Sequence, residues 1–359
     1  MVDGSQTGLV DVHSHFFPQA LVDALARRTE LPFIRSGAAL PQVHYGEGNI
    51  HPLEPPMTDL TLRLSDMDKQ GVELAVLTVN VPGLDWFPVS EGPAIAREVN
   101  DELAATVAAH PDRLAWLAAL PLPAPEAAAA ELERAVANGA RGAMIYSNAA
   151  GRPLDDPAFE VVWEAAARVE LPIMIHPTYP LTARTLDAYA LIPTLGFLVD
   201  TTSAALRLVF GGLYERHPGF KLVLAHSGSL LPQLIGRIDY EAQRAAARGG
   251  LGRLSVDPSE ALHNLYTDTV CVWPPALMSA LAFFGPEHVM FGTDYPFWEP
   301  ERSIATLEEV LPDPAARAPI ATANARRLFR LDEAPGRSGD VDGARGAEGK
   351  PAGQAGGPR

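Results

Sequence analysis

Four histidines and one aspartate of this 359-residue chain stand at the ends of short apolar segments. His13 and His15 lie two residues apart in DVHSH, so on a β-strand both side chains would face the same side. His176, His226 and Asp294 each close a later apolar segment. Burying a histidine or carboxylate is costly unless the group is paired or bound to a metal. The pattern therefore predicts a metal site, with hydrogen-bonded core histidines and a turn-capping carboxylate as the structural alternatives.

The donor set indicates which metal and which chemistry to expect. Three imidazoles and one carboxylate, from His13, His15, His176 and Asp294, suit Zn²⁺, with Mn²⁺, Fe²⁺ or Co²⁺ as alternatives. A coordination position left open would hold a water whose pKa falls to about 7. His226 would stand beside the metal as a general acid or base. We therefore expect one divalent ion, Zn²⁺ first and Mn²⁺ second, with His226 and Asp294 as catalytic residues.

Eight apolar segments of strand length alternate with longer amphipathic stretches along the chain. Eight strand–helix alternations favour a closed (β/α)8 TIM barrel over an open doubly wound sheet. The open sheet would be supported by a Gly-rich phosphate-binding turn after the first strand, and none is present there. The polar residues fall at the C-terminal strand ends, which form the active-site face of a barrel. We predict strands at 9–15, 72–79, 114–122, 142–147, 172–176, 221–226, 265–270 and 288–294, and helices at 91–110, 125–138, 156–170, 198–217 and 274–285.

Two segments depart from this alternation. Residues 17–57 separate the first strand from its helix without a long periodic pattern. An insertion there would lie over the barrel mouth, where substrate enters, and a plain surface loop is the alternative. Residues 331–359 are dominated by Gly, Pro and charge, and they cannot bury enough apolar surface to fold. We therefore expect one metal-dependent domain over 1–330, followed by a disordered tail.

The composition of the chain argues against nucleic acids and membranes as partners. The net charge of −16 and the lack of a basic cluster argue against a nucleic-acid partner. The N-terminus lacks the features of a secretory signal, and no stretch reaches the ~18 consecutive apolar residues of a membrane span. The single cysteine, Cys271, excludes an internal disulfide framework. We therefore expect a cytoplasmic enzyme of small molecules, with neither a membrane nor a nucleic-acid partner.

Four motifs resemble the amidohydrolase superfamily (amidohydrolase-related family 2), in the branch typified by 2-amino-3-carboxymuconate-6-semialdehyde decarboxylase. They are DVHSHFFP, IMIHP, AHSGSLLPQLIGRID and MFGTDYPF, within residues 9–330. The resemblance implies a barrel, one metal and a homodimer. It implies that His226 activates the metal-bound water, and that the metal ligands are His13, His15, His176 and Asp294. The fourth predicted strand ends in AMIYS without a lysine, so the carboxylated-lysine bridge of binuclear relatives is not expected.

The resemblance also implies two substrate contacts. Arg237 matches an arginine that reaches the neighbouring subunit's substrate carboxylate, which implies a dimer; a surface salt bridge with Asp239 is the alternative. His51 stands where the decarboxylase has a pocket arginine, and histidine is a shorter, pH-dependent carboxylate anchor. The substrate should therefore differ from the aminocarboxymuconate semialdehyde itself.

The predicted activity is that of a metal-dependent, non-oxidative carboxy-lyase. Its substrate would be a carboxylated aromatic or unsaturated small molecule. A metal-dependent hydrolase of an amide, ester or lactone is the alternative, because the same five residues can serve both reactions.

Overall fold

Eight short parallel strands form the centre of the protein. The computed structural model describes residues 8–37, 39–46, 48–249 and 254–334. Each strand lies close to one of the eight predicted segments, although most are shorter than predicted. The strands are β1 (Leu9–His15), β2 (Val72–Thr78), β3 (Leu114–Trp116 and Ala118–Ala119), β4 (Ala143–Tyr146), β5 (Ile173–His176), β6 (Leu222–Leu224), β7 (Tyr266–Asp268) and β8 (Val289–Met290).

Backbone hydrogen bonds close these strands into a barrel. The two parts of β3 join its halves, because Leu114–Trp116 pairs with β2 and Ala118–Ala119 pairs with β4. Across the seam between β8 and β1, the Val12 N–H donates to the Phe291 carbonyl at 3.0 Å. The Asp294 N–H likewise donates to the His13 carbonyl at 2.8 Å. The predicted closed barrel is therefore confirmed, and the open sheet is excluded.

In the described part of the chain, eight longer helices surround the strands, and one of them follows each strand in chain order. Several have a proline as their first or second residue, and its fixed φ suits the first turn of a helix. The predicted helix at 198–217 is broken, because Gly212 adopts a left-handed φ of 83° and a separate turn, Leu213–Arg216, follows it. The helices are α1 (Leu60–Gln70), α2 (Gly92–Ala109), α3 (Pro125–Ala137), α4 (Glu160–Val169), α5 (Phe197–Phe210), α6 (Leu231–Ala246), α7 (Pro274–Phe284) and α8 (Pro300–Val310).

Apolar side chains fill both sides of the barrel wall. One buried cluster lies between strands and helices and includes Trp116, Phe159 and Trp163. A second cluster takes alternate residues from successive strands, among them Val12 and Met174, and therefore fills the barrel interior. Burial on both faces explains why the strand sequences are nearly continuous apolar runs. The interior cluster leaves only the C-terminal strand ends for polar chemistry.

The segment after β1 has regular structure that the sequence did not predict. It contains a helix, Gln19–Ala26, and an antiparallel sheet of three strands, Phe33–Arg35, Gln42–Gly46 and Asn49–Pro52. This segment lies over the barrel mouth. His51 approaches the Val81 carbonyl just beyond β2, and a Cβ at Gly46 would clash with the Tyr179 ring beyond β5.

One helical segment, Ile192–Phe210, is long and apolar enough to cross a membrane, and half of it is buried inside the protein. It contains α5, whose Asp200 is 3% exposed and accepts hydrogen bonds from Ser147 and Asn148 at the end of β4. A partly buried helix of a barrel can meet the same length and hydropathy criteria as a membrane-spanning helix. The tail predicted from residue 331 lies, beyond residue 334, outside the described residues.

Candidate metal centre

A bulge in β1 brings His13 and His15 to the barrel mouth. Val10 and Val12 point into the barrel interior, so a regular strand would turn the next residue away from it. The pairing with β2 shifts register between Asp11 and Ser14, where the strand carries an extra residue. The extra residue reverses the inward–outward alternation of side chains after Val12, so that His13 and His15 both face inward.

Five side chains converge at this mouth, as the sequence predicted. Ligand atoms of His13, His176, His226 and Asp294 all lie within 4.8 Å of one another. His15 belongs to the same cluster, because its Nε2 lies 3.1 Å from His13 Nε2 and 2.8 Å from Asp294 Oδ1. The ring centroids of His15 and His176 are 4.8 Å apart. The structure therefore brings all five predicted residues together.

The other ring nitrogen of each inner histidine faces a protein oxygen. His13 Nδ1 lies 2.8 Å from Asp268 Oδ2, and His176 Nδ1 lies 2.8 Å from the Pro177 carbonyl. His15 Nδ1 lies 3.0 Å from the Thr78 hydroxyl, which itself donates to the Ser14 carbonyl. Oxygen acceptors at Nδ1 select the tautomer whose Nε2 carries a lone pair. Three lone-pair nitrogens are thus directed into the cluster.

This arrangement fits a cation. With Nδ1 protonated, the Nε2 lone pairs of His13 and His15 face each other at 3.1 Å, which is repulsive without a positive charge between them. Asp294 Oδ1 lies 3.4 Å from His13 Nε2 and 2.8 Å from His15 Nε2, yet it has no hydrogen-bond partner among the described residues. Buried polar atoms are rarely unpartnered unless an ion or water completes them. The donor set therefore fits a single divalent metal.

The electrostatics agree with this conclusion. Burial lowers the pKa of His15 to about 4 and lowers the pKa of His176 well below its usual value, so both imidazoles are neutral. Burial opposes ionisation of Asp294, but the neighbouring imidazoles outweigh it and hold the pKa of that carboxyl well below its ordinary value. Burial also opposes protonation of His13, but the charges of Asp294 and Asp268 raise its pKa. The neutral imidazoles of His15 and His176 beside the Asp294 carboxylate are the protonation states that metal binding needs, whereas the raised pKa of His13 means that a bound cation competes with a proton there.

His226 occupies a different position from the other four residues. It follows β6 on a turn in which His226, Ser227, Gly228 and Ser229 all have left-handed φ values of 53–76°. Each non-glycine residue in that region costs about 1–3 kcal/mol, and such strain clusters at functional sites. The His226 side chain is 12% exposed, whereas those of His13 and His15 are fully buried. Of these three imidazoles, His226 is thus the one a molecule in the mouth can reach.

The sequence analysis missed two buried charged residues that contact the site. Asp268, at the end of β7, is fully buried and contacts both His13 and the His226 turn. A signal existed, because an aspartate within a predicted apolar strand is as unusual as Asp294. Arg63, on α1, is also fully buried, and its guanidinium donates to the Ser14 hydroxyl and the His15 carbonyl. No sequence signal distinguishes it from a surface arginine of an amphipathic helix.

The predicted substrate contacts differ in their surroundings. His51 is 9% exposed, and its two ring nitrogens lie 3.0 Å and 3.3 Å from the carbonyls of Pro52 and Val81, so neither faces open space. Its ring packs edge-on against Phe297, which in turn contacts the ring of His15. Arg237 is exposed on α6. The alternative prediction for Arg237, a surface salt bridge with Asp239, is wrong, because no such pair forms within the described residues. Asp239 instead accepts a hydrogen bond from the Ser259 N–H.

Comparisons with known proteins agree with this geometry. A family model described as "Amidohydrolase" matches residues 10–331. The chain is 34% identical to the gamma-resorcylate decarboxylase of Rhodococcus jostii (strain RHA1), over 76% of this chain and 87% of that protein.

Solved structures resemble the chain as well. The 5-carboxyvanillate decarboxylase of Sphingomonas paucimobilis has a TM-score of 0.81 and 30% identity, with 90% of this chain and 99% of that chain covered. A dihydroxybenzoic acid decarboxylase from Polaromonas sp. JS666, solved with bound manganese and the inhibitor 2-nitroresorcinol, has a TM-score of 0.75 and 27% identity, covering 92% and 98% of the two chains. The chain therefore belongs to the amidohydrolase family and, within it, is a metal-dependent decarboxylase.

Proposed function

We propose that this enzyme removes CO₂ from a hydroxylated aromatic carboxylic acid. The observation that carries the proposal is the cluster of three inward Nε2 lone pairs and one unpartnered carboxylate oxygen, with His226 on its accessible side. The ring centroid of Phe297 lies 5.7 Å from that of His15, and the Phe297 side chain is 38% exposed. It therefore offers a ring surface beside the cluster, which supports an aromatic substrate. The relatives named above act on resorcylate and carboxyvanillate, both hydroxylated aromatic acids.

In this proposal four residues hold one divalent ion, namely His13, His15, His176 and Asp294. When bound, the ion supplies positive charge that orients the anionic substrate and stabilises negative charge developing on it. The protein holds the ligands in place through the acceptors at their Nδ1 atoms. Because the cluster is buried, water is largely excluded and these charges interact strongly.

His226 is the proposed proton-transfer residue. As CO₂ departs, the electron pair of the breaking carbon–carbon bond stays on the ring carbon, and that carbon must gain one proton. His226 Nε2 lies 3.5 Å from Asp294 Oδ2, so the protonated imidazole is held beside the site by an opposite charge. Donation from Nε2 to the ring carbon leaves His226 neutral, and solvent at the mouth reprotonates it.

For the ion itself we propose Zn²⁺, with Mn²⁺ as the rival. Three imidazoles and one carboxylate favour zinc by donor type. The manganese in the Polaromonas structure supports the rival. Elemental analysis of the purified protein, followed by stripping and reloading with each metal in turn, distinguishes the two by which ion restores turnover at stoichiometric loading.

We also propose a homodimer in which Arg237 contacts substrate bound to the partner subunit. Its support is the exposed, unpaired guanidinium on α6 within the described part of the chain, beside Tyr240, which is 60% exposed. The test mixes two inactive variants, Arg237→Ala and His176→Ala, after dissociation and reassociation. A mixed dimer has one site with both an intact metal cluster and an intact partner arginine, so activity should return. Mixtures as inactive as the separate variants would contradict the composite site.

The reaction is tested by mass. Purified protein is incubated with gamma-resorcylate and 5-carboxyvanillate, and separately with a phenyl ester and an aryl lactone as hydrolase probes. A decarboxylase produces a product lighter by CO₂ and releases dissolved CO₂, whereas a hydrolase adds water and leaves the carboxylate intact. His226→Asn is the matched control, because it removes proton transfer while leaving the proposed ligands. Water addition without CO₂ release, abolished in the control, would replace this proposal by the hydrolase alternative.

A further inference from the structure

We infer that Asp268 is a positioning residue that couples metal binding to the placement of the proton-transfer histidine. Its carboxylate lies at the end of β7, is fully buried, and accepts from two different parts of the site. Oδ2 lies 2.8 Å from His13 Nδ1 and 3.2 Å from the His226 N–H. Oδ1 accepts from the Ser227 N–H and the Val270 N–H, both at 3.0 Å. This inference rests on the metal ligation in the proposed function and not on its substrate.

The first half of the coupling concerns the tautomer of His13. A carboxylate can only accept, so Asp268 requires the proton on His13 Nδ1 and leaves Nε2 free to coordinate. Close packing maintains this contact. A Cβ at Gly292 would lie 2.9 Å from the Asp268 Cβ and 3.1 Å from the His13 Cβ, so only glycine allows the two side chains to meet here. Asp268 thereby sets the direction in which His13 presents its lone pair.

The second half concerns the strained turn after β6. His226 and Ser227 have φ values of 61° and 53°, a conformation that L-residues adopt only when their surroundings hold it. Their two successive N–H groups both point at the Asp268 carboxylate, one at each oxygen. Consecutive N–H groups of this kind form an anion-binding concavity. The carboxylate therefore stabilises the turn that places the His226 ring 5.3 Å from the ring of His13.

Both roles depend on Oδ2, and a single atom exchange tests them. In Asp268→Asn, the amide oxygen can keep the Oδ1 contacts to Ser227 and Val270. The amide NH₂ then occupies the Oδ2 position, where it faces two donors, His13 Nδ1–H and His226 N–H. In that orientation His13 relieves the clash by moving its proton to Nε2, and that nitrogen then no longer coordinates. In the other orientation the amide oxygen stays at His13 and the NH₂ faces the Ser227 and Val270 N–H groups, which releases the turn that carries His226. Zinc binding weakens in both cases, because a neutral amide oxygen is also a poorer acceptor for His13 than a carboxylate. The shape and the apolar packing of the strand end stay the same.

The experiment measures metal affinity directly. Metal-free wild-type protein and Asp268→Asn are titrated with Zn²⁺ in competition with a chromophoric chelator. We expect the variant to bind 10–100-fold more weakly, the usual effect of removing the oxygen partner of a ligand histidine. The control is Glu131→Gln, a buried carboxylate on α3 that bonds Asn100 and Arg134 away from the metal cluster. It should lower the melting temperature of the metal-free protein at least as much as Asp268→Asn, while leaving zinc affinity unchanged.

The outcomes separate this inference from the proposed function. Failure of the wild type to bind either Zn²⁺ or Mn²⁺ would overturn the proposed metal centre itself. Zinc affinity of Asp268→Asn within twofold of the wild type would overturn the role of Asp268 alone. Should the variant not fold, wild-type protein with ¹⁵N-labelled histidine decides, with His13 assigned from a His13→Gln spectrum. The spectrum is recorded at a pH high enough that His13 carries a single proton. In the metal-free protein that proton must lie on Nδ1, and a single proton on Nε2 would overturn the inference.

Discussion

We predict that the buried Asp85 carboxyl lowers the free energy of unfolding of the protein as the pH rises through neutrality. It follows β2, is 3% exposed, and its Oδ2 has no hydrogen-bond partner among the described residues. Burial raises the pKa of this carboxyl to about 8, and a hydrogen bond from the Leu122 N–H only partly offsets the effect. The nearby Tyr146 hydroxyl donates to the Val79 carbonyl instead. The native protein therefore keeps a proton on Asp85 at pH 7.

The sign and size of the effect follow from proton linkage. Between the ordinary pKa of 3.8 and the native value of about 8, the unfolded chain has released the proton that the native state still binds. The free energy of unfolding therefore falls with rising pH, by about 1.4 kcal/mol per pH unit from this group. From pH 5 to pH 7 the loss amounts to about 3 kcal/mol. Asp85→Asn cannot ionise, so it removes this loss while keeping the shape of the side chain.

The assay is equilibrium denaturant unfolding of metal-free wild-type protein and Asp85→Asn at pH 5, 6 and 7. Comparing the two proteins at each pH cancels the contributions of all other titrating groups. The stability of the variant relative to the wild type should rise by about 3 kcal/mol across this range. Asp200→Asn is the control, because that buried carboxylate accepts from Ser147, Asn148 and the Leu181 N–H and its replacement should destabilise. A difference between Asp85→Asn and wild type that does not change with pH would refute the reasoning.

Three further predictions concern the site. His176→Ala and Asp294→Ala should each abolish stoichiometric metal binding in elemental analysis while circular dichroism stays native, because the interior apolar cluster is untouched; full metal content would contradict this. His226→Asn should retain the metal and lower kcat about a hundredfold or more, the usual scale for a proton-transfer residue, in steady-state kinetics; near-normal turnover would remove that role. Arg63→Met should lower the free energy of unfolding by about 3 kcal/mol in denaturant titration, since the Ser14 hydroxyl and the His15 carbonyl lose a charged donor; an unchanged midpoint would show that this cation is dispensable.

Much of the fold could be predicted because its signals are local in the chain. The eight strands are continuous apolar runs, which is what burial on both faces requires. The break in the predicted helix at 198–217 was missed, although the pair Gly211-Gly212 lies within it, because glycine inside a helical pattern lowers helix propensity without excluding a helix. The helix and three-stranded sheet inside 17–57 were missed for another reason. Short strands that pair only with one another carry little periodicity of their own.

The site shows the same division between local and distant information. His176 and Asp294 were identifiable because an ionisable residue at the end of a buried strand needs a partner, whatever that partner is. The partners themselves were not identifiable. Asp268 meets His13 across 255 residues of chain, and Arg63 meets the end of β1 across 49, and neither spacing has a local signature.

The amino-acid sequence by itself determined the barrel, the five converging side chains and the kind of ion they suit, because apolar runs and the residues that interrupt them are properties of neighbouring positions. Tertiary structure alone decided that a bulge between Asp11 and Ser14 turns His13 inward and that a left-handed turn carries His226 to the accessible side. Tertiary structure also decided that one carboxylate, that of Asp268, contacts both His13 and the backbone of His226. Hydrogen-bond direction and tautomer depend on which atoms meet in space, and only the closed barrel brings those atoms together.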